Sequence, residues 1–471
     1  MKKFTLLLIV LLISTFTFAQ DISGQWNGLL KIQGTQMRIT FNLTKTDAGY
    51  SSTMDSPDQK VFGIPVTFTT VNYPDLKLTI TNAFIEYTGK VENEGKIAGT
   101  FTQGGQSFPL DLTKDIPQKE VIVRPQDPVK PYPYKTEDVK FINTKDNDTL
   151  AGTITMPSKG KKFPAVILIS GSGPQDRNEE LVGHRPFLVI ADYLTRHGIA
   201  VLRFDDRGTG ESTGNFMSAN TVDLAGDVMA AVDYMKSRKE IDQKNLGLIG
   251  HSEGGIIAPM VAVDSKDIAF IVLMAGTGIR GDKLLLLQEE LISKASGVDE
   301  AEVDKMIAAN KKAFEIVIAT TDQDSLKTKL TSYVKSILND IPASERPEGM
   351  SDDEYINFMV AQMMNPWMLY FIRHDPSIVL EQVKCPVLAI NGSKDLQVPS
   401  KVNLEAIEKA LTKGGNTQFT IRELPGLNHI FQECTKGTPD EYSTIEQTTS
   451  PVALGTMTNW IKEQTEKTKV K

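Results

Sequence analysis

Six short, mostly apolar stretches, residues 165–170, 200–204, 246–249, 269–274, 387–390 and 419–424, most constrain what this chain can fold into. A strand buried on both faces reads this way, because both sides of its pleat need apolar cover, whereas a half-exposed strand alternates. Between the stretches, residues 187–196, 222–236, 255–263, 401–411 and 452–466 carry apolar side chains at helical spacing. His197-Gly198 closes the first of these, with a cation near the last carbonyls and glycine at the left-handed position. Strands alternating with amphipathic helices predict an α/β domain over residues 136–471, a mostly parallel sheet with helices on both faces.

The interval between residues 274 and 387 is roughly 110 residues, far more than a loop and one helix require. Helical spacing at 284–292, 303–318, 326–337 and 355–364 predicts a helical insertion of about 279–380, seated over one edge of the sheet. Upstream, residues 21–115 alternate apolar and polar side chains, as in Met37-Arg38-Ile39-Thr40-Phe41-Asn42-Leu43, and predict a small all-β domain. Residues 116–135 follow with Pro117, Pro125, Pro128, Pro131 and Pro133 among charges, a composition expected of an extended linker.

The first residues, Met1-Lys2-Lys3, then an apolar run over 6–13, then Thr17-Phe18-Ala19, have the three-part order of a secretory signal. Residues 1–19 are therefore expected to direct export, to a periplasmic or secreted location. The apolar run is too short to span a bilayer, and no later segment is long enough, so no integral membrane segment is expected after signal removal. Only Cys385 and Cys434 are present, which allows at most one bridge and excludes a disulfide framework. With Lys+Arg 51 against Asp+Glu 59, a net charge of −8, the chain lacks a basic footprint for nucleic acid. Nothing in the sequence sets an oligomeric state.

Gly250-His251-Ser252-Glu253-Gly254 matches G-x-S-x-G, the turn in which a strand reverses into a helix and presents a serine hydroxyl. The pattern occurs twice, the second time at Gly210-Glu211-Ser212-Thr213-Gly214, so context has to decide. Ser252 directly follows the apolar run 246–249 and opens Gly255-Ile256-Ile257-Ala258. Ser212 lies several residues past its strand in a Gly-rich loop. Ser252 is the expected nucleophile.

A serine hydroxyl needs a base oriented by a carboxylate, and in this arrangement the partners follow in the order serine, acid, histidine. Asp395 follows the strand at 387–390 in Asn391-Gly392-Ser393-Lys394-Asp395. His429 follows the strand at 419–424 in Pro425-Gly426-Leu427-Asn428-His429. Both leave strands at the edge where Ser252 emerges, where open α/β sheets place their sites. Asp375 is the runner-up acid and His184 the competing histidine, while His251 reads as support for the serine turn, His197 as a helix end and His374 as part of the insertion.

Acyl transfer also needs backbone N–H donors aimed at the developing oxyanion. The amide of Glu253 supplies one. The second is expected from Ser170-Gly171-Ser172-Gly173-Pro174, with Ser172 preferred over Gly173. That loop lacks the Gly-Lys-Ser/Thr ending of a phosphate loop, and no G-x-G-x-x-G is completed, so no nucleotide cofactor is expected. Five histidines and two cysteines at unrelated spacings predict no metal site.

Taken together, Ser170 to Asn178, Asp205-Asp206-Arg207-Gly208-Thr209-Gly210-Glu211-Ser212, Gly250 to Gly255, Asn391 to Asp395 and Asn428-His429 make residues 136–471 resemble the α/β-hydrolase superfamily. The resemblance is to its exported esterases and prolyl-oligopeptidase-related serine hydrolases. It implies a triad of Ser252, Asp395 and His429 beneath a helical cap. The departure is Ser170-Gly171 where many relatives have His-Gly, which leaves the second oxyanion donor open. True prolyl oligopeptidases carry a β-propeller, which residues 21–115 are too few to build.

The expected activity is thus a carboxylesterase acting on a small ester or acylated substrate, with a serine peptidase or aminopeptidase as alternative. The apolar and aromatic run Met363-Met364-Asn365-Pro366-Trp367-Met368-Leu369-Tyr370-Phe371 reads either as acyl-pocket lining or as the cap's own core. A third reading makes the β domain a carbohydrate- or lipid-binding module, with Trp26 in Gly24-Gln25-Trp26-Asn27-Gly28 as either barrel core or sugar platform.

Overall fold

A computed structural model of the chain describes residues 21–32, 35–59, 61–103, 106–119, 124–341 and 351–470. The expected signal, residues 1–19, lies outside them. The chain divides into two compact units, essentially up to residue 120 and from 121 onward.

In the first unit the alternating sequence forms β1 (Gly24–Ile32), β2 (Thr35–Thr46), β3 (Gly49–Ser56), β4 (Val61–Pro65), β5 (Phe68–Asn72), β6 (Asp75–Ile80), β7 (Ile85–Asn93), β8 (Lys96–Gln103), β9 (Gln106–Pro109) and β10 (Leu112–Thr113). They make one antiparallel sheet in the order β4-β3-β2-β1-β10-β8-β7-β6-β5, with β9 on β8. Its apolar face closes over Trp26, Phe41, Leu78, Tyr87, Ile97 and Phe101. Trp26 is only 1% exposed, its indole N–H donates to Ile22 O at 2.8 Å, and the Lys114 ammonium sits 3.7 Å above its ring. It is core, and a buried ring offers no platform for a sugar.

The second unit contains β11 (Tyr134–Asn143), β12 (Asp148–Pro157), β13 (Phe163–Ile169), β14 (Ala200–Phe204), β15 (Ile241–His251), β16 (Phe270–Met274), β17 (Val387–Gly392) and β18 (Phe419–Leu424). Their order is β11-β12-β14-β13-β15-β16-β17-β18, antiparallel across β11-β12-β14 and parallel from β14 to β18. The helices are α1 (Pro186–Arg196), α2 (Thr221–Ser237), α3 (Gly254–Asp264), α4 (Gly281–Ala295), α5 (Glu300–Ala319), α6 (Gln323–Ile337), α7 (Asp352–Met363), α8 (Pro366–Arg373), α9 (Pro376–Leu380), α10 (Ser400–Lys413) and α11 (Pro451–Val470). One face of the sheet packs on Val228, Val232, Ile257, Val261, Ile407 and Leu411 of α2, α3 and α10. The other packs on Phe187, Ile190, Leu194, Leu454, Met457 and Ile461 of α1 and α11. Each such buried side chain stabilises the fold by about 1.5–3 kcal/mol, which is why both faces of these strands are apolar.

Caps set where the helices start. Asn220 and Asp223 form a reciprocal capping box on α2, and Ser351 and Glu354 form another on α7. Arg196-His197-Gly198 ends α1 as read from the sequence, with Gly198 at φ +94°. Helices α4 to α9 fill the long interval between β16 and β17. Spacing did not separate α8 from α7 or reveal α9, because residues 363–372 are apolar almost throughout and lack a periodic signature. The boundaries there are drawn by Asn365 and Asp375, whose side chains cap α8 and α9, each followed by a proline at the first helical position.

The proline-rich segment expected as an extended linker is docked from Arg124 on. The Arg124 guanidinium donates to Ser443 O at 2.9 Å and Ile445 O at 3.1 Å, and Gln126 Nε2 donates to Thr449 O at 2.7 Å. Asp127 holds Arg185 at 2.6 Å. Both cysteines are free thiols, and burial pushes that of Cys385 up to about 12.

Candidate active site

The strand β15 ends at His251, and the chain reverses at Ser252 into α3. Ser252 sits at φ +53°, the left-handed region that L side chains avoid, and its amide donates to Met274 O at 2.9 Å. Two glycines make this reversal possible. A Cβ on Gly250 would fall 1.9 Å from Gly254 O, and one on Gly254 would fall 2.2 Å from Ile169 O. The two fixed glycines of G-x-S-x-G therefore answer to backbone crossing backbone.

Asp395 and His429 reach the same edge from β17 and β18. Their loops are joined by the amide of Lys394 donating to Leu427 O at 2.9 Å, and a Cβ on Gly392 would fall 2.2 Å from that same oxygen. His429 Nδ1 donates to Asp395 Oδ2 at 2.8 Å, with both side chains buried. The other carboxylate oxygen accepts from the amides of Gln397 at 2.9 Å and Val398 at 2.8 Å, so the acid is oriented from both ends. Ser252 and His429 line one cavity of about 280 Å³ together with Ser172, Glu253, Leu285 and Trp367. Among the described residues the Ser252 hydroxyl makes no hydrogen bond, which leaves it available on the cavity wall.

Among the described residues, neither the Glu253 amide nor the Ser172 amide donates within the protein, whereas the Gly171 amide is committed to Glu179 Oε1 at 2.8 Å. Glu253 and Ser172 line the same cavity as Ser252. Asp206 braces the second of these loops, accepting from Ser170 Oγ at 2.8 Å and from the Gln175 amide at 2.9 Å. Complete burial holds the Asp206 carboxyl well above the usual carboxylate range.

The rival residues serve the framework. His184 contacts Thr448 Oγ1 at 3.0 Å and Tyr442 O at 2.9 Å, fully buried. His374 ends α8 against Tyr370, and Asp375 caps α9 by accepting from Ser377. Ser212, of the second motif, donates to Asp205 O at 2.7 Å and accepts from the Ala151 amide at 2.9 Å, which makes it a buried strut. Arg177 and Arg207 lock the same loop through Asp205 and Asp227, each at 2.7 Å.

Two contacts escaped the sequence reading. Glu179 Oε1 also accepts from His251 Nδ1 at 2.8 Å, while His251 Nε2 donates to His429 O at 3.1 Å. Burial opposes a charge on His251, but the adjoining Glu179 carboxylate and the His429 carbonyl carry its pKa above the ordinary histidine value. The second is the contact of Trp367, read from the sequence only as part of an apolar run, with Glu253: the indole N–H donates to both carboxylate oxygens at 2.8 Å. Burial raises the Glu253 carboxyl above its ordinary value, against the opposing pull of donors on Thr221, Trp367 and Ser172. Neither contact had a local signal, because each joins side chains far apart in the chain.

Among the described residues no group of three or more His, Cys, Asp or Glu could hold a metal, and no helix is long and apolar enough to cross a membrane.

A left-handed serine between a buried parallel strand and a helix, on one cavity with a paired acid and histidine, is the arrangement of a serine hydrolase of α/β-hydrolase type, and the comparisons with known proteins support that class. The family model for serine aminopeptidases of type S33 matches residues 185–318, a stretch that contains Ser252 and ends before Asp395 and His429. The chain is 27% identical over 358 residues to esterase EstD of Thermotoga maritima, covering 75% of this chain and 70% of that protein. Similarity to dipeptidyl-peptidase 5 of Porphyromonas gingivalis is 27% over 152 residues, 30% of this chain and 21% of that protein. Among solved structures, Est1E of Butyrivibrio proteoclasticus with bound ferulic acid aligns with TM-score 0.41 and 17% identity, over 71% of this chain and 100% of that one.

Proposed function

We propose that this protein cleaves carboxylic esters through an acyl-enzyme on Ser252, with His429 as general base and Asp395 as its orienting acid. The observation that carries the reading is the buried 2.8 Å His429–Asp395 contact on the cavity that Ser252 also lines. Asp395 fixes the proton on Nδ1, so Nε2 is the basic nitrogen. Ser252 Oγ bonds to the ester carbonyl carbon as its proton passes to Nε2, and the oxyanion is received by the amides of Glu253 and Ser172. Collapse expels the alcohol, which takes that proton. Water, deprotonated by the same nitrogen, then releases the acid.

A peptidase reading draws on the description of the S33 family model and on the name of dipeptidyl-peptidase 5. Capture of a free N-terminal amine calls for an uncommitted carboxylate, and the two acids lining the cavity are both engaged, Glu179 by His251 and Gly171, Glu253 by Thr221 and Trp367. That favours the ester. The reading includes export, motivated by Met1-Lys2-Lys3 and the apolar run 6–13. N-terminal sequencing of the mature chain tests it, and an intact Met1 would refute it.

The deciding assay compares p-nitrophenyl esters with aminoacyl-p-nitroanilides, using Ser252→Ala as control. Ester turnover that is absent on anilides and lost in the control supports the esterase, and anilide turnover rivalling ester turnover would move the activity to the peptidases.

A further inference from the structure

The cavity holding Ser252 shares two lining residues, Ser172 and Trp367, with a second cavity of about 300 Å³ bordered by Phe216, Met217, Asn365 and Met368. Trp367 is held in place from two directions. Its N–H is gripped by both oxygens of Glu253, which is 2% exposed, and its ring lies against Phe371 at 5.0 Å between centroids and 20° between planes. Glu253 is itself fixed by Thr221 Oγ1 at 2.7 Å, so the anchor belongs to the α2 and elbow framework while the indole belongs to the cap. Swinging the indole aside would cost the buried carboxylate one of its donors, leaving it those of Thr221 and Ser172.

From this we propose that Trp367 is the specificity-determining wall of the acyl site: it confines the substrate to short acyl chains, of the acetyl to butyryl class, and closes off an apolar cavity that would otherwise take a longer chain. The proposal rests on the esterase reading above. Its chemistry is the packing of an alkyl chain against the indole, so it concerns which acids are released and leaves the bond-making steps as described. A methylene gained or lost in an apolar pocket changes discrimination by roughly 10- to 200-fold.

The test measures kcat/KM for p-nitrophenyl acetate, butyrate, octanoate and decanoate, and for acetates of alcohols of increasing size, on the full chain and on Trp367→Ala. The wild type is expected to prefer acetate and butyrate. Trp367→Ala is expected to raise the octanoate-to-acetate ratio by roughly tenfold or more, with the alcohol series keeping its order. An unchanged acyl profile, or a shift confined to the alcohol series, would overturn the proposal. Wild-type inactivity on every ester would instead remove the esterase reading itself. Should Trp367→Ala fail to fold, Trp367→Leu is read on the same series. A wild-type crystal structure after reaction with a butyl fluorophosphonate, in which Ser252 Oγ displaces fluoride from phosphorus, gives an independent answer. A butyl chain resting on Trp367 supports the wall, and one directed between Leu285 and Gln288, which line another side of the Ser252 cavity, overturns it.

Discussion

The imidazole of His251 donates to the backbone carbonyl of His429 at 3.1 Å, so the residue just before the proposed nucleophile props up the loop that carries the proposed base. With Nδ1 against Glu179 Oε1 at 2.8 Å, both ring nitrogens of His251 face oxygen acceptors, an arrangement that suits the protonated ring.

A pH-dependent stability follows. A histidine whose folded pKa is raised contributes stability that is complete below its unfolded value, about 6.5, and is lost as pH rises through the folded value. The melting-temperature advantage of the wild type over His251→Gln should therefore be largest below about pH 6.5 and shrink above it. A difference that grows with alkaline pH would contradict a protonated His251.

Glu253 has its carboxyl pKa raised by burial, so its neutral form is the better tolerated one in the folded state. The same linkage gives full stability below the ordinary carboxyl value, with loss as pH rises through the folded value. Glu253→Gln keeps an acceptor for Trp367 and Thr221 and removes the charge. Denaturant midpoints should show the variant gaining on the wild type from about pH 4.5 upward.

Ser252 combines chemistry with strain. Ser252→Ala should lower kcat by about four to six orders of magnitude with the fold retained. Ser252→Gly should be equally inactive but melt higher than Ser252→Ala, because glycine escapes the left-handed penalty of about 1–2 kcal/mol. Calorimetry of the two inactive variants isolates the strain from catalysis.

Asp395→Asn offers His429 an amide in place of a carboxylate and disturbs the tautomer. We expect kcat to fall by about 10⁴ while Ser252 is still phosphonylated by a fluorophosphonate, with loss of fluoride, at a reduced rate.

Ser212→Ala separates the two G-x-S-x-G matches. It should destabilise by about 1–3 kcal/mol, since the Ala151 amide loses its acceptor, and leave ester turnover near wild type at temperatures where the variant is folded.

How much of this was legible in the sequence depends on distance along the chain. Ser252, Asp395 and His429 each follow an apolar strand within a few residues, so sheet order alone carries them to one edge. The strands β13 to β17 were legible because both of their faces are buried and apolar, whereas β11 and β12, in the antiparallel part of the sheet, carry polar residues along their length. The contacts of Glu179 with His251 and of Trp367 with Glu253 span 72 and 114 positions, and only packing brings them together. Residues 363–372 hid the start of α8 because an unbroken apolar run carries no period.

The cap lies between β16 and β17, and Asp395 is 143 positions after Ser252. During synthesis the serine is therefore made long before its partners. On the proposed triad, a chain that terminates early within the insertion would carry the serine with no base to arm it, so ester cleavage would wait for the finished polypeptide.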